Sequence, residues 1–153
     1  MPGYFIDTSA LAKLYHVEVA SQQMEMLAQS PDNRLIVSHL RVIELQSVFA
    51  TKVRMGVIEP ASLDQLRSLF FADLADGRFK VVLVSGRYFR GADRLIRTHA
   101  VSRSLRTLDA LQLAVALELH RRGAATALVA SDRTLCEVAA EEGMQVVNPI
   151  PGP

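Results

Sequence analysis

Tyr4-Phe5-Ile6-Asp7-Thr8-Ser9-Ala10-Leu11 is the stretch on which the fold turns. An apolar run ends in an acid, two hydroxyl residues follow, and an apolar helical pattern begins. This is how a first strand delivers a carboxylate at its C-terminal tip. In open parallel sheets ligands bind outside the carboxyl ends of the strands, near the point where strand order reverses. Asp is also a favoured N-cap, accepting a hydrogen bond from a backbone N–H of the helix it precedes. Taken alone, Asp7 reads as a cap. A functional reading has to come from the residues brought to it.

The rest of the chain alternates short β-rich runs with longer helical ones, which implies a parallel sheet with helices on both faces. Strands are expected at Tyr4–Ile6, Leu35–Val37, Phe79–Val84, Ala127–Ala130 and Gln145–Val147. Helices are expected at Ser9–Tyr15, Val19–Gln29, Leu40–Met55, Ala61–Ala75, residues 86–100, Thr107–Arg122 and Asp132–Glu142. Gly56, Gly123 and Gly143 stand where helices end. Pro60 suits the start of the fourth helix. No repeat or linker divides the 153 residues, so residues 1–148 read as one domain and 149–153 as a flexible tail.

Half of the residues are hydrophobic, enough for a sizeable core. The longest apolar-dominated stretch, Leu108 to Leu119, is too short to span a bilayer. The chain starts directly with a strand, with no secretory signal, and its one cysteine, Cys136, excludes an internal disulfide. A cytoplasmic protein with no membrane association is expected. The net charge of +1 gives no global attraction to nucleic acid. The distribution is uneven, however. Arg87, Arg90, Arg94, Arg97, Arg103 and Arg106 face a single acid, Asp93, in that part of the chain. Arg87, Arg90, Arg94 and Arg97 recur at helical spacing and share one face. That face is either a solvated surface or a phosphate track, and Arg106 either joins it or holds a carboxylate.

Three further acids invite comparison with Asp7. Glu44 lies among aliphatic residues of the third helix, so it is on the solvent edge or turned into a cleft. Asp109 heads an otherwise nearly apolar helix, where an acid complements the helix dipole but sits at the rim of the core. Asp132 follows a strand as Asp7 does, again in an N-cap position. The two strand tips and the head of the apolar helix converge on one crevice in a doubly wound sheet. Clustered carboxylates resist joint ionisation, and a divalent cation relieves them. All-oxygen ligands suit magnesium or manganese rather than zinc. His16, His39, His99 and His120 lack paired spacing and read as surface or helix-end residues.

The order Asp7-Thr8-Ser9, Glu44 within a helix, Arg106-Thr107-Leu108-Asp109-Ala110-Leu111-Gln112-Leu113-Ala114, then Ser131-Asp132-Arg133-Thr134-Leu135 resembles the PIN-domain ribonucleases. Among these it looks most like the VapC toxins of toxin–antitoxin pairs. The resemblance runs from Tyr4 to about Asn148. It implies a three-layer α/β/α sandwich with a mainly parallel central sheet. It also implies hydrolysis of RNA with one or two Mg2+ or Mn2+ ions, a homodimer, and inhibition by a cognate VapB-like antitoxin. Carried over residue by residue, the acidic quartet falls on Asp7, Glu44, Asp109 and Asp132, with Ser9 and Ser131 at supporting hydroxyl positions. The last acid is the most variable position of the family pattern. On this reading Arg87, Arg90, Arg94, Arg97 and Arg106 contact RNA. The helices from Ala10 to Gln29 and from Leu40 to Met55 are candidate walls of an antitoxin groove. Leu66, Phe70 and Phe71 would serve that groove, a dimer interface or, by preference, the core. A PIN-fold RNA-processing nuclease without antitoxin, and a noncatalytic RNA- or protein-binding module, are the competing readings.

Overall fold

The computed structural model describes residues 1–150; of the expected tail, residues 151–153 lie outside that range. Five strands form one sheet: β1 (Gly3–Ile6), β2 (Arg34–Ser38), β3 (Phe79–Val82), β4 (Ala127–Val129) and β5 (Gln145–Val147). Their order is β3-β2-β1-β4-β5, and all four pairings are parallel. The first strand is therefore the middle one. The chain leaves it towards β2 and β3, then returns past it to β4 and β5. The strand order reverses between β1 and β4, and their carboxyl ends open the crevice expected there.

The helices are α1 (Thr8–Ala12), α2 (Ser21–Gln29), α3 (His39–Arg54), α4 (Pro60–Ala75), α5 (Arg87–His99), α6 (Thr107–Arg121) and α7 (Arg133–Glu141). Alternating strand residues point to opposite faces, and each face has its own core. Phe5, Ile36 and Leu128 face α5, α6 and α7 through Leu95, Leu111, Val115 and Leu135. Ile6, Leu35, Val37 and Val129 face the α1–α4 side through Leu11, Met24, Leu45, Phe49 and Phe70. Because both faces are covered, the strands read as continuous apolar runs, as buried parallel strands do. Each of these large side chains contributes roughly 1.5–3 kcal/mol by leaving water. Together they hold the loops at the strand tips in place.

Every expected element is present, with shifts that have local causes. α1 stops at Ala12 because Lys13, Leu14 and Tyr15 donate to carbonyls three residues back rather than four, a tighter turn that ends helices. α2 begins at Ser21 because Ala20 takes a positive φ of 70°, a conformation that an alanine does not advertise. β3 ends at Val82, opposite Ser38, where β2 itself ends. Gly56 and Gly123 take φ 73° just beyond α3 and α6, the left-handed C′ position that favours glycine. The core assignment on α4 needs a correction. Phe70 is fully buried, but Phe71 is 49% exposed, since neighbouring helical residues point about 100° apart.

Candidate active site

Asp7 follows β1 directly, and its backbone N–H donates to the Val129 carbonyl of β4 at 2.9 Å. The residue is thus pinned over the reversal point of the sheet. It occupies the N-cap position of α1, yet its side chain makes no capping bond. Oδ1 accepts instead from Arg41 Nη1 at 2.9 Å, and Oδ2 accepts from Ser9 Oγ at 2.7 Å. The ordinary explanation of this acid, a helix cap, therefore does not describe its carboxylate.

Glu44 lies on α3 and is turned inward. Its Oε1 accepts from Arg41 Nη1 at 3.2 Å and from Gln112 Nε2 at 2.9 Å. Gln112 is fully buried on α6, and its Oε1 accepts from Ser38 Oγ at 2.6 Å. Ser38 in turn caps α3 by accepting from the Arg41 backbone N–H. One line of hydrogen bonds thus fixes the start of α3 relative to α6 and carries Glu44 to the crevice.

Asp109 stands in the first turn of α6, where the partial positive charge of the helix N-terminus favours it. Its Oδ2 is 3.5 Å from Arg106 Nε, on a side chain 81% exposed. Arg106 thus touches a carboxylate, one of the two roles expected for it. Asp132 caps α7: Oδ1 accepts from Leu135 N at 2.8 Å, so the ordinary reading holds for one of its oxygens. Beside it, Ser131 Oγ is buried with no hydrogen-bond partner among the described residues.

The four acids act on one another through the electric field. Burial holds the Glu44 carboxyl above its ordinary value against the pull of Arg41, with Asp7 and Asp109 pushing the same way as burial. Burial likewise raises Asp109, opposed by Arg106 and reinforced by Asp7 and Asp132. Two carboxyls raised in this way, each with neighbouring acids among the causes, mark a shared site. The nearby Cys136 thiol is pushed up to about 11, by burial first and then by Asp132 and Asp7. Its Sγ lies 3.3 Å from the Ala130 carbonyl. It stays a protonated thiol and is unsuited to be a nucleophile.

Among the described residues no three acidic, histidine or cysteine donors stand in a ready coordination cage. Between Asp7 and Glu44 stands Arg41, a group the sequence reading did not identify. It is 1% exposed. Its Nη1 also donates to Thr8 Oγ1 at 3.0 Å, while Nε and Nη2 are buried without a partner. The only available signal was its place three residues before Glu44, a spacing that puts opposite charges together on a helix but usually on the wet side. The donor chemistry nonetheless suits a hard divalent cation: carboxylate oxygens, those of Glu44 and Asp109 with raised proton affinity, and a buried Ser131 hydroxyl without a partner among the described residues.

The arginines of α5 are spread over different partners. Arg94 is bound to Glu142 through two hydrogen bonds of 3.0 Å, and Arg97 to Asp93 at 2.9 Å. Arg87 lies over the Tyr88 ring, 4.9 Å from its centroid. Arg87, Arg90 and Arg94 line a cleft of about 350 Å³ between α5 and α6, with Arg121 and Glu118 on the far wall. Glu118 follows Asp109 by nine positions on α6, which places its side of the cleft roughly 14 Å along the helix axis from Asp109. His99, expected at a helix end, is there but is only 7% exposed, with Nε2 2.7 Å from Glu142.

A sequence profile described as the PIN domain matches residues 4–141. No curated protein matches the chain by sequence. Among solved structures, the fold is similar to VapC20 of Mycobacterium tuberculosis, described as a sarcin-ricin loop cleaving toxin. The TM-score is 0.65 at 18% identity, over 92% of this chain and 95% of that one. VapBC2 from Rickettsia felis, bound to a DNA fragment from its promoter, gives a TM-score of 0.63 at 17% identity, covering 95% and 98%. A toxin–antitoxin complex from Klebsiella pneumoniae gives 0.60 at 20% identity, covering 97% and 99%.

Proposed function

The chain belongs to the PIN domain family, and from that premise we propose that it is a metal-dependent endoribonuclease, the toxin of a toxin–antitoxin pair. The observation that carries the proposal is the carboxylate of Asp7. It stands where a cap would be, does not cap, and shares its field with Glu44, Asp109 and, through Asp109, Asp132. The three toxin structures of similar fold support the toxin half of the reading.

In this reading Asp7, Glu44 and Asp109 would hold Mg2+ or Mn2+, and Asp132 would add the oxygen that does not cap α7. A divalent ion supplies a low-pKa water, and so hydroxide near neutral pH. The protein's own residues prepare the place. Ser9 and Arg41 fix the plane of the Asp7 carboxylate. Gln112 fixes Glu44, and hydrogen bonds of this kind orient ligating carboxylates. Ser131 offers its free hydroxyl beside Asp132. Arg87 and Arg90, which have no carboxylate partner among the described residues, would hold the phosphate backbone in the α5–α6 cleft, while Arg94 and Arg97 would need to exchange a carboxylate for phosphate to take part. The whole reading sets the protein in the cytoplasm, with RNA.

The antitoxin is proposed to lie on the other helical layer. Tyr15, Val57, Leu66 and Leu69 line one apolar depression between the end of α1 and α4. Val48, Met55 and Val57 line a second along α3. Val57 joins the two, giving a groove that suits an amphipathic helix. A homodimer belongs to the same reading and is measured by sedimentation.

The test is incubation of the purified protein with total cellular RNA in Mg2+, Mn2+ and EDTA, beside Asp7→Asn. Discrete fragments that require both the ion and Asp7 are expected. Intact RNA under every condition, with no ion bound in calorimetry, would instead mark a noncatalytic binding module.

A further inference from the structure

We propose that Arg41 is a resident cation of the carboxylate cluster, standing in for a second divalent ion, so that the site takes one ion rather than two. This deepens the metal-dependent nuclease reading and rests on it. Four observations converge on Arg41. Its Nη1 lies between the two carboxylates from β1 and α3, 2.9 Å from Asp7 Oδ1 and 3.2 Å from Glu44 Oε1. The side chain is 1% exposed, so it does not belong to the solvent-facing arginines. Its stem is fixed from below, because Ser38 caps α3 at the Arg41 backbone and the guanidinium lies 6.0 Å from the Phe5 ring centroid. Finally, Nε and Nη2 are shut away from solvent without partners among the described residues, so the charge cannot turn outward to meet a phosphate.

Charge sets the consequence. Four ionised carboxylates and one guanidinium leave three negative charges. One divalent ion reduces that to one. A second would leave the site positive and would have to lie beside a guanidinium that cannot leave. Arginine is always protonated, so it cannot yield its charge to an incoming ion. Space gives the same answer: one oxygen of each of the two carboxylates that a bridging ion would share is already occupied by Nη1.

The experiment titrates Mn2+ into the metal-free protein by calorimetry, with electron paramagnetic resonance of the loaded sample, for wild type, Arg41→Met and Arg41→Lys. Wild type and Arg41→Lys are expected to take about one isolated Mn2+ per chain, whereas Arg41→Met takes about two with a spin-coupled signal, the metals of a two-ion site being about 3.5–4 Å apart. Arg41→Met should also melt lower than wild type in EDTA and recover most of the difference in Mn2+, because the added ion replaces the lost charge. A spin-coupled pair in the wild type overturns the proposal, whether or not Arg41→Met folds. So does a folded Arg41→Met that still takes one ion. Failure to bind any Mn2+ overturns the nuclease reading with it, whereas metal-dependent cleavage with two ions per chain removes only the role given to Arg41.

Discussion

The seam between α5 and α7 and the crevice at the tips of β1 and β4 are both built from carboxylates and guanidinium groups, in opposite proportion. In the seam each acid meets a base. Glu142 accepts both forks of Arg94 and the His99 ring. Arg103 reaches Glu137 and Glu141, and Glu137 also holds Arg133. In the crevice, four acids have one buried arginine and one exposed arginine at 3.5 Å. Fully paired surface charges add little stability, since solvent screens them. Crowded, under-compensated charges are unfavourable, and a fold that keeps them has a use for them. Placement separates the two more clearly than composition does: the seam lies along helix flanks, and the crevice lies where strand order reverses.

The strongest way to break this contrast is Asp7→Asn. If Asp7 holds the ion as proposed, losing its carboxylate should remove several kcal/mol of transition-state stabilisation, on the order of 10³-fold in cleavage rate. Gel quantification of RNA fragments measures it, and a rate within a few-fold of wild type would dissolve the distinction. Next comes Asp109→Asn. Its carboxyl is raised in the folded state, so the charged form is disfavoured by folding. That penalty is present above the folded value and disappears as the group protonates at lower pH. At neutral pH the substitution should therefore stabilise the metal-free protein slightly while weakening Mn2+ binding. Denaturant unfolding in EDTA, with calorimetry, reads both signs, and a destabilised variant would show that Asp109 is held for structure.

Arg87→Ala with Arg90→Ala tests whether the α5–α6 cleft belongs with the crevice. RNA affinity should fall about threefold at moderate salt, and the slope of log affinity against log salt should shrink by about 0.7 for each lost phosphate contact. Filter binding over a salt series measures it; an unchanged slope leaves the stripe a solvated face. The smallest effect belongs to the seam. The Arg94 hydrogen bonds, then His99, hold the Glu142 carboxyl below its ordinary value despite partial burial. Its contribution is present above the unfolded value, about 4.3, and is lost as pH falls through the lower folded value. Glu142→Gln should therefore cost under about 1 kcal/mol at pH 7 and make little difference in strong acid. A loss that persists at low pH would show that Glu142 acts by packing.

The sequence carried the fold almost completely, because buried parallel strands and apolar helices differ in length and residue type. Boundaries slipped where one residue adopts a backbone state that its side chain does not signal, as at Ala20, or where a neighbouring strand runs out, as at Val82. The acids were visible as strand-tip and helix-head positions. What the sequence did not disclose is what lies between them. Arg41 and Gln112 look like ordinary polar residues of two helices. Their burial follows from α3 and α6 meeting at the strand tips, a contact between residues 68 positions apart in the Gln112–Glu44 pair. Likewise the arginines of α5 share a spacing, but only their partners on α6 and α7 separate Arg87 and Arg90 from Arg94 and Arg97.

The central position of β1 has a consequence for the making of the protein. β1 receives its second neighbour only from Ala127–Val129, and the Asp7 backbone is tied to Val129. A ribosome must therefore add more than 120 residues after Asp7 before the first acid finds its final surroundings. Folds that depend on such distant pairings form late and slowly. On the nuclease reading proposed above, a chain still lacking β4 would carry its first acid without the surroundings that position it, so activity would be withheld until β4 has been added.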